Sequence, residues 1–285
     1  MAKIGIIGGS GLYDLEGLTN VREVVVETPF GAPSDAIICG DLDGVSLAFI
    51  PRHGRGHVLN PSEIPFRANI FALKSLGVEW IMSMSAVGSL RDEIVPGHVV
   101  LIDQFIDRTK SRPATFFSEG IVAHVGFGHP VCETLRTYLL EASREVGATA
   151  HDGGTYVCME GPAFSTVAES NLYRSWDASV IGMTNLTEAK LAREAEISYA
   201  TVAFSTDYDC WHPDHDAVTV DQIIAVLIKN VQLSKEIIKA AVKKVAAHEG
   251  PAPCHDALAN AILTHKDAIS PKRRKELDIL VNKYL

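Results

Sequence analysis

The sequence predicts an α/β fold. Short β-rich apolar runs alternate with stretches of helical periodicity, and no repeat, low-complexity tract or long linker breaks the alternation. Apolar residues make up 47% of the chain and charged residues 21%, the balance of a folded globular protein rather than a disordered one. A chain of 285 residues can bury one sizeable core and still carry appended helices, so one domain with a helical tail is expected.

The strand-like runs lie at 3–7, 45–50, 80–83, 98–101, 155–159 and 199–205. Helical patterns fall between them at 65–76, 132–146 and 167–176. The strongest helix spans 220 to about 247, with Ile223, Ile224, Leu227, Val231, Ile238, Val242 and Val245 on one broad face suited to packing on a sheet. Gly250-Pro251-Ala252-Pro253 breaks it, a shorter helix is expected next, and Ser270-Pro271 reads as an N-cap followed by a helix-opening proline. The division this suggests is a catalytic domain over 1–248 and a C-terminal helical extension over 249–285.

With 26 Lys and Arg against 35 Asp and Glu, the net charge of −9 gives no general attraction to nucleic acid or to an acidic membrane. Cys39, Cys132, Cys158, Cys210 and Cys254 are scattered and form no C-x-x-C pair, which reads as reduced cytosolic thiols without a disulfide framework or zinc. No stretch approaches the roughly 20 apolar residues of a membrane span, and the N-terminus lacks a signal-peptide pattern, so the expected address is the cytoplasm.

Several segments at the ends of the strand-like runs carry chemistry. In Gly5-Ile6-Ile7-Gly8-Gly9-Ser10-Gly11, glycines let backbone amides approach an anion and Ser10 adds a hydroxyl donor. The segment fits G-x-G-x-x-G in no register and has no P-loop lysine, which argues against dinucleotide and triphosphate binding; a plain tight turn is the competing reading. Pro51-Arg52-His53-Gly54-Arg55-Gly56-His57 concentrates basic side chains at a strand's end, where α/β sheets bind ligands. There Arg52 can hold two phosphate oxygens and His53 can add a donor, with a solvated basic loop as the alternative. Histidines four apart on a loop lack the helical geometry of a metal site.

Ser83-Met84-Ser85-Ala86-Val87-Gly88-Ser89 offers hydroxyls and small residues for phosphate, or is simply a strand-to-helix turn. Met159-Glu160-Gly161-Pro162-Ala163-Phe164 puts an aromatic ring after a Gly-Pro turn, where it can stack on a flat base or fill a core. Ser205-Thr206-Asp207-Tyr208-Asp209-Cys210-Trp211 carries two carboxylates two apart, on one side of the chain if the strand continues through them. Burial and mutual repulsion would raise at least one of their pKa values and keep a proton available near neutral pH; a helix cap or a solvated turn is the bland alternative.

Taken in order, IGIIGGSGL, TPFGAPSDA, PRHGRGH, SAVGSLRDEI, PGHVVLIDQFIDRT, EGPAFSTVAES and FSTDYDCW resemble the trimeric purine-nucleoside phosphorylase family, most closely its 5′-methylthioadenosine phosphorylase branch, over roughly residues 3 to 245. The resemblance implies an α/β sandwich around a distorted, partly barrel-like mixed sheet flanked by helices. It also implies assembly as a homotrimer or a dimer of trimers, and phosphorolysis of 5′-methylthioadenosine to adenine and 5-methylthio-α-D-ribose 1-phosphate. Inorganic phosphate is then a co-substrate, and no metal or organic cofactor is implied.

Carried over residue by residue, the resemblance assigns phosphate to Ser10, Arg52, His53, Ser85, Ala86 and Thr184, the ribose to Met183 and the base to Phe164. Asp207 and Asp209 match the pair facing the purine. Asparagine is typical at the first of these positions in branches acting on 6-oxopurines, so an aspartate favours adenine-type bases. Val218, Val220 and Ile224 match the apolar 5′-substituent pocket, and His124 matches a histidine that a neighbouring subunit supplies to it. Ala163 stands where arginine is common, and the stretch from Gly182 to Glu188 departs from the usual proline-containing sequence. The rival readings are a 6-oxopurine or broad-specificity phosphorylase, a hydrolytic nucleosidase, a nicotinamide-dependent oxidoreductase and a non-catalytic nucleoside-binding protein.

Overall fold

The computed structural model describes residues 3–9, 11, 12, 14–213 and 220–285, with backbone alone for 220–229. In chain order the elements are β1 (Ile4–Gly8), β2 (Thr19–Val24), β3 (Ile37–Leu42), β4 (Val45–Pro51), α1 (Phe66–Ser75), β5 (Trp80–Ser89), β6 (Val99–Leu101), β7 (Gln104–Arg108) and α2 (Glu133–Glu145). They continue with β8 (Ala150–Asp152), β9 (Thr155–Met159), α3 (Val167–Ser175), β10 (Val180–Gly182), α4 (Asn185–Glu194), β11 (Ser198–Asp207), α5 (Val220–Ala246), α6 (Pro271–Glu276) and α7 (Asp278–Val281).

The period of two along the central strands sorts their side chains onto two cores. Leu47 and Phe49 of β4, Trp80 and Met82 of β5, and Ala200 and Val202 of β11 join one cluster with Leu135 and Leu139 of α2 and Ile238 and Val242 of α5. The intervening Ala48, Ile50, Ile81 and Tyr199 join the other, with Ile70 and Leu73 of α1 and Ala189 and Leu191 of α4. The sheet is thus covered on both faces, the α/β sandwich that was expected. These strands read as continuous apolar runs because both faces are buried.

Among the described residues eleven strands form one mixed sheet, ordered β2-β3-β4-β1-β5-β10-β9-β7, with β11 on β5 and β6, and β8 on β6. β1 runs parallel to β4 and β5, and β11 runs parallel to β5, so the C-terminal ends of these four strands lie together. β10 crosses the far end of β5 antiparallel, pairing Val180 with Ser89 and Ile181 with Gly88, and it lies parallel to β9. β5 therefore exchanges one neighbour, β1, for another, β10, along its length. This branching distorts the sheet and brings five strand ends around one space.

Ser270 caps α6, accepting from Arg273 N, with Pro271 at the first turn, as the sequence indicated. The shorter helix expected between residue 254 and Ser270 is reduced to a single 3-10 turn, Lys266–Ala268, and 253–261 are turns. Local turn bonds and a few tertiary partners share the amides a helix would have used. Leu258 N donates to Glu196 Oε1, and Ala123 and Ile262 form an isolated β-bridge. Nor does this segment stand apart from the core: Leu258, Ala261, Ile269, Leu277, Leu280 and Val281 are buried in the α1/α4 cluster. Buried Arg273 holds the loop after β7, donating from Nε to Ser118 O (3.1 Å) and from Nη2 to Phe116 O (2.8 Å).

Candidate active site

The converging strand ends enclose a cavity of about 790 Å³, lined by nine predicted residues: Arg52, His53, Ser85, Ala86, Phe164, Met183, Thr184, Asp207 and Asp209. Ser10 and Val218 lie outside the described residues, and the side chains of Val220 and Ile224 lie outside them too. His124 is exposed and does not line the cavity of its own chain; its backbone N–H donates to Ala261 O. Phe164 is 52% exposed at the cavity wall, so it is not a core residue. Ala163 beside it is also exposed, so the family's usual arginine would project from the rim.

Arg52 follows the last residue of β4, and its amide donates to Gly8 O (2.9 Å), tying the basic loop to the glycine segment. Its guanidinium is 4% exposed and already heavily engaged. Nε and Nη2 both donate to the Glu188 carboxylate, Nη2 also to Ser83 Oγ (2.6 Å), and Nη1 to Met84 O (3.0 Å). This corrects the expected bidentate clamp: the fork grips Glu188, and one Nη1 N–H remains for a ligand. Burial opposes the charge of Arg52, and Glu188 reverses that, holding its pKa above the ordinary value. Glu188 is held in turn by Ser83 Oγ (2.9 Å) and Tyr199 Oη (2.9 Å), so the pair sits in a satisfied polar network.

The Nδ1 of His53 lies 2.8 Å from Leu59 O, and its ring stacks on His57 with centroids 4.1 Å apart. Burial, with Arg52 alongside, pulls its pKa down to about 4, so the ring is neutral at pH 7. A neutral ring donating from Nδ1 to a carbonyl has a lone pair on Nε2. In this neutral tautomer Nε2 can accept a P–OH proton, where the sequence suggested a donor. Thr184 precedes α4, so the positive end of that helix lies at the cavity wall.

At the other end of the cavity β11 bulges between Ser205 and Asp207 and then stops, so the strand does not continue through both carboxylates as supposed. A turn unites them instead, with Asp209 at φ 52° and its amide donating to Asp207 Oδ1 (2.8 Å). Thr206 Oγ1 donates to Asp207 Oδ2 (2.6 Å). A Cβ on Gly88 would meet Asp207 Oδ1 at 3.0 Å and Asp209 Cβ at 3.3 Å, so glycine leaves room for the pair. Burial raises the pKa of Asp207, partly offset by the Thr206 hydroxyl and the Asp209 amide. It also raises that of Asp209 against the hydroxyls of Ser170 and Ser165.

Sequence reasoning missed the continuation of the histidine loop, whose Leu59, Asn60 and Glu63 line the cavity beside His57. The Asn60-Pro61 turn signal was the available clue. It also missed Glu188 and Arg112. Arg112, with its side chain 1% exposed, donates from Nη1 to Met183 O and from Nη2 to Glu160 O, bracing the carbonyls beyond β9 and β10. The Glu194 carboxylate accepts from Thr115 Oγ1 (2.7 Å) and Phe116 N (2.7 Å) in the same loop. Among the described residues no group of three or more His, Cys, Asp and Glu side chains could hold a metal ion, and no helix is long and apolar enough to cross a membrane.

The phosphorylase superfamily model matches residues 3–243. The chain belongs to the phosphorylase superfamily. It is 59% identical to the S-methyl-5′-thioadenosine phosphorylase of Geobacter sulfurreducens, over 99% of each chain. It is 59% identical to that of Thermosynechococcus vestitus, over 100% of this chain and 99% of the relative. A solved methylthioadenosine phosphorylase from an antarctic soil metagenomic library superposes with a TM-score of 0.94 at 50% identity, covering 98% of this chain and 99% of that one. The Schistosoma mansoni methylthioadenosine phosphorylase, solved with adenine, gives 0.83 at 37% identity over 87% and 93%.

Proposed function

We propose that the chain splits 5′-methylthioadenosine with inorganic phosphate, giving adenine and 5-methylthio-α-D-ribose 1-phosphate. The observation that carries this reading is one cavity with anion-suited groups at one end and a buried carboxylate pair at the other. Phosphate is held by Ser10, Arg52 Nη1, His53, Ser85, the Ala86 backbone and Thr184, and it attacks the anomeric carbon opposite the base. As the sugar becomes oxocarbenium-like, the anion stabilises charge that the ground state lacks.

Asp207, whose pKa burial raises, donates a proton to N7 of the leaving base, and an oxygen of Asp209 accepts from the exocyclic amino group. Met183 lies along the ribose and Phe164 against the base, while Val218, Val220 and Ile224 close on the methylthio group. His124 comes from a neighbouring copy in a homotrimer or dimer of trimers, which its exposure away from its own cavity supports. The division into a catalytic unit over 1–248 and an extension over 249–285, which packs into the α1/α4 core, belongs to the same reading and is supported by the end of the family match at 243. The reaction needs no cofactor, and the protein is placed in the cytoplasm.

The test is adenine release from 5′-methylthioadenosine with and without phosphate. Phosphate-dependent release supports the proposal, release without phosphate means a nucleosidase, and no release removes the substrate assignment. Faster turnover of inosine than of adenosine would shift the reading to a 6-oxopurine enzyme.

A further inference from the structure

Beneath the phosphate end of the cavity lies a buried hydroxyl that the proposed reaction does not use. Tyr156 of β9 is fully buried, and its Oη has no hydrogen-bond partner. The ring tip occupies space left by a glycine, since a Cβ on Gly182 would sit 2.0 Å from Oη. The Ser85 hydroxyl and the Thr184 amide face this oxygen.

Neither neighbouring hydroxyl is well satisfied. Ser85 Oγ reaches only its neighbour Ala86 O, at 3.3 Å, and Thr184 Oγ1 only Asn185 Oδ1, at 3.4 Å. Good O–H···O bonds are about 2.5–3.0 Å long. The hydroxyls of Tyr156, Ser85 and Thr184 are thus all buried and underused, although phenylalanine at 156 would fill the same space without burying a polar atom.

We propose that Tyr156 is a positioning residue of the phosphate site, anchored by the Thr184 amide and orienting the Ser85 hydroxyl toward the bound anion. This rests on the phosphorylase reading above. When phosphate arrives, Thr184 N–H donates to Tyr156 Oη, and Tyr156 O–H donates to Ser85 Oγ. The Ser85 proton is then free to point at a phosphate oxygen. Each link polarises the next, so the chain strengthens the donor that meets the anion. Tyr156 does not line the cavity and touches no substrate, so its effect passes wholly through these two residues.

The test compares the parent chain with Tyr156→Phe, by the melting shift that inorganic phosphate induces and by the KM for phosphate at saturating nucleoside. One hydrogen bond in such a chain corresponds to a loss of phosphate affinity of about three- to tenfold. Adenine affinity and the melting temperature without phosphate are expected to hold. In a Ser85→Ala background the Tyr156→Phe effect should largely vanish, which a merely structural role would not produce. Phosphate affinity within twofold of the parent, or an equal loss for phosphate and adenine, would overturn the proposal. A parent chain whose melting phosphate does not move would overturn the phosphate site itself, and this proposal with it.

Discussion

Asp207→Asn separates proton donation from every other role of the carboxylate pair. Asparagine keeps the size of the side chain and one acceptor oxygen. Asp207 now accepts from Thr206 Oγ1 and Asp209 N, so the new amide group must face one of these donors. That mismatch costs about 1–3 kcal/mol of stability and leaves the fold in place. The kinetic effect should be larger, because a positioned general acid contributes about 10²–10⁴-fold, or roughly 3–5.5 kcal/mol of barrier.

The assay is kcat at saturating phosphate, run with 5′-methylthioadenosine and with a 7-methylated analogue whose base is already cationic and so leaves neutral without a proton. A loss of at least a hundredfold on the first and under tenfold on the second is expected. Because burial raises the pKa of Asp207, the parent's rate should fall as pH climbs through that raised value, and the variant should lack this limb. A loss under tenfold on the natural substrate, or equal losses on both, would refute the assignment of the acid.

Glu188→Ala leaves the Arg52 charge buried and unpaired, which should destabilise the fold by about 3–5 kcal/mol; adding Arg52→Met should restore much of it, read as melting temperatures in a double-mutant cycle. Burial raises the pKa of Glu194 to about 7 from 4.5, so the folded state holds a proton that the unfolded state has lost between those values. Stability should therefore be full below about pH 4.5, fall as pH rises toward 7 and level above it, a change of about 3 kcal/mol. Glu194→Gln should flatten that slope and melt later than the parent at pH 8; a variant with the parent's pH profile would count against it.

The fold was largely legible because the buried strands are apolar runs and the intervening helices keep their period. β2 was not, since its side chains are nearly all exposed and offer no alternation, and β8 and β10 are three residues long. The cavity's predicted residues were legible as segments ending apolar runs, although Ser85 and Ala86 lie within β5 and Asp207 closes β11. Their chemistry was less so, because it depends on partners far away in sequence. Glu188 lies 136 residues from Arg52, and its grip turns an apparent clamp into a single donor. The union of Asp207 with Asp209 depends on a bulge that no spacing announces. Between residue 254 and Ser270 the expected helix shrinks to one 3-10 turn, while Leu258 N is taken by Glu196 and Ile262 pairs with Ala123.

Arg273 gripping the loop at 116–118 has a consequence for how the protein is made. By the time a ribosome reaches residue 250, all the described cavity residues have been synthesised, yet the loop that carries Arg112 to Met183 O and Glu160 O, packed on Phe30 and Phe71 and bonded to Glu194, still lacks the grip of Arg273. That grip arrives with residues 258–281. The nascent chain thus carries its chemistry before it carries the whole frame for it, and the loop behind the pocket should reach full rigidity only once residues 258–281 have docked.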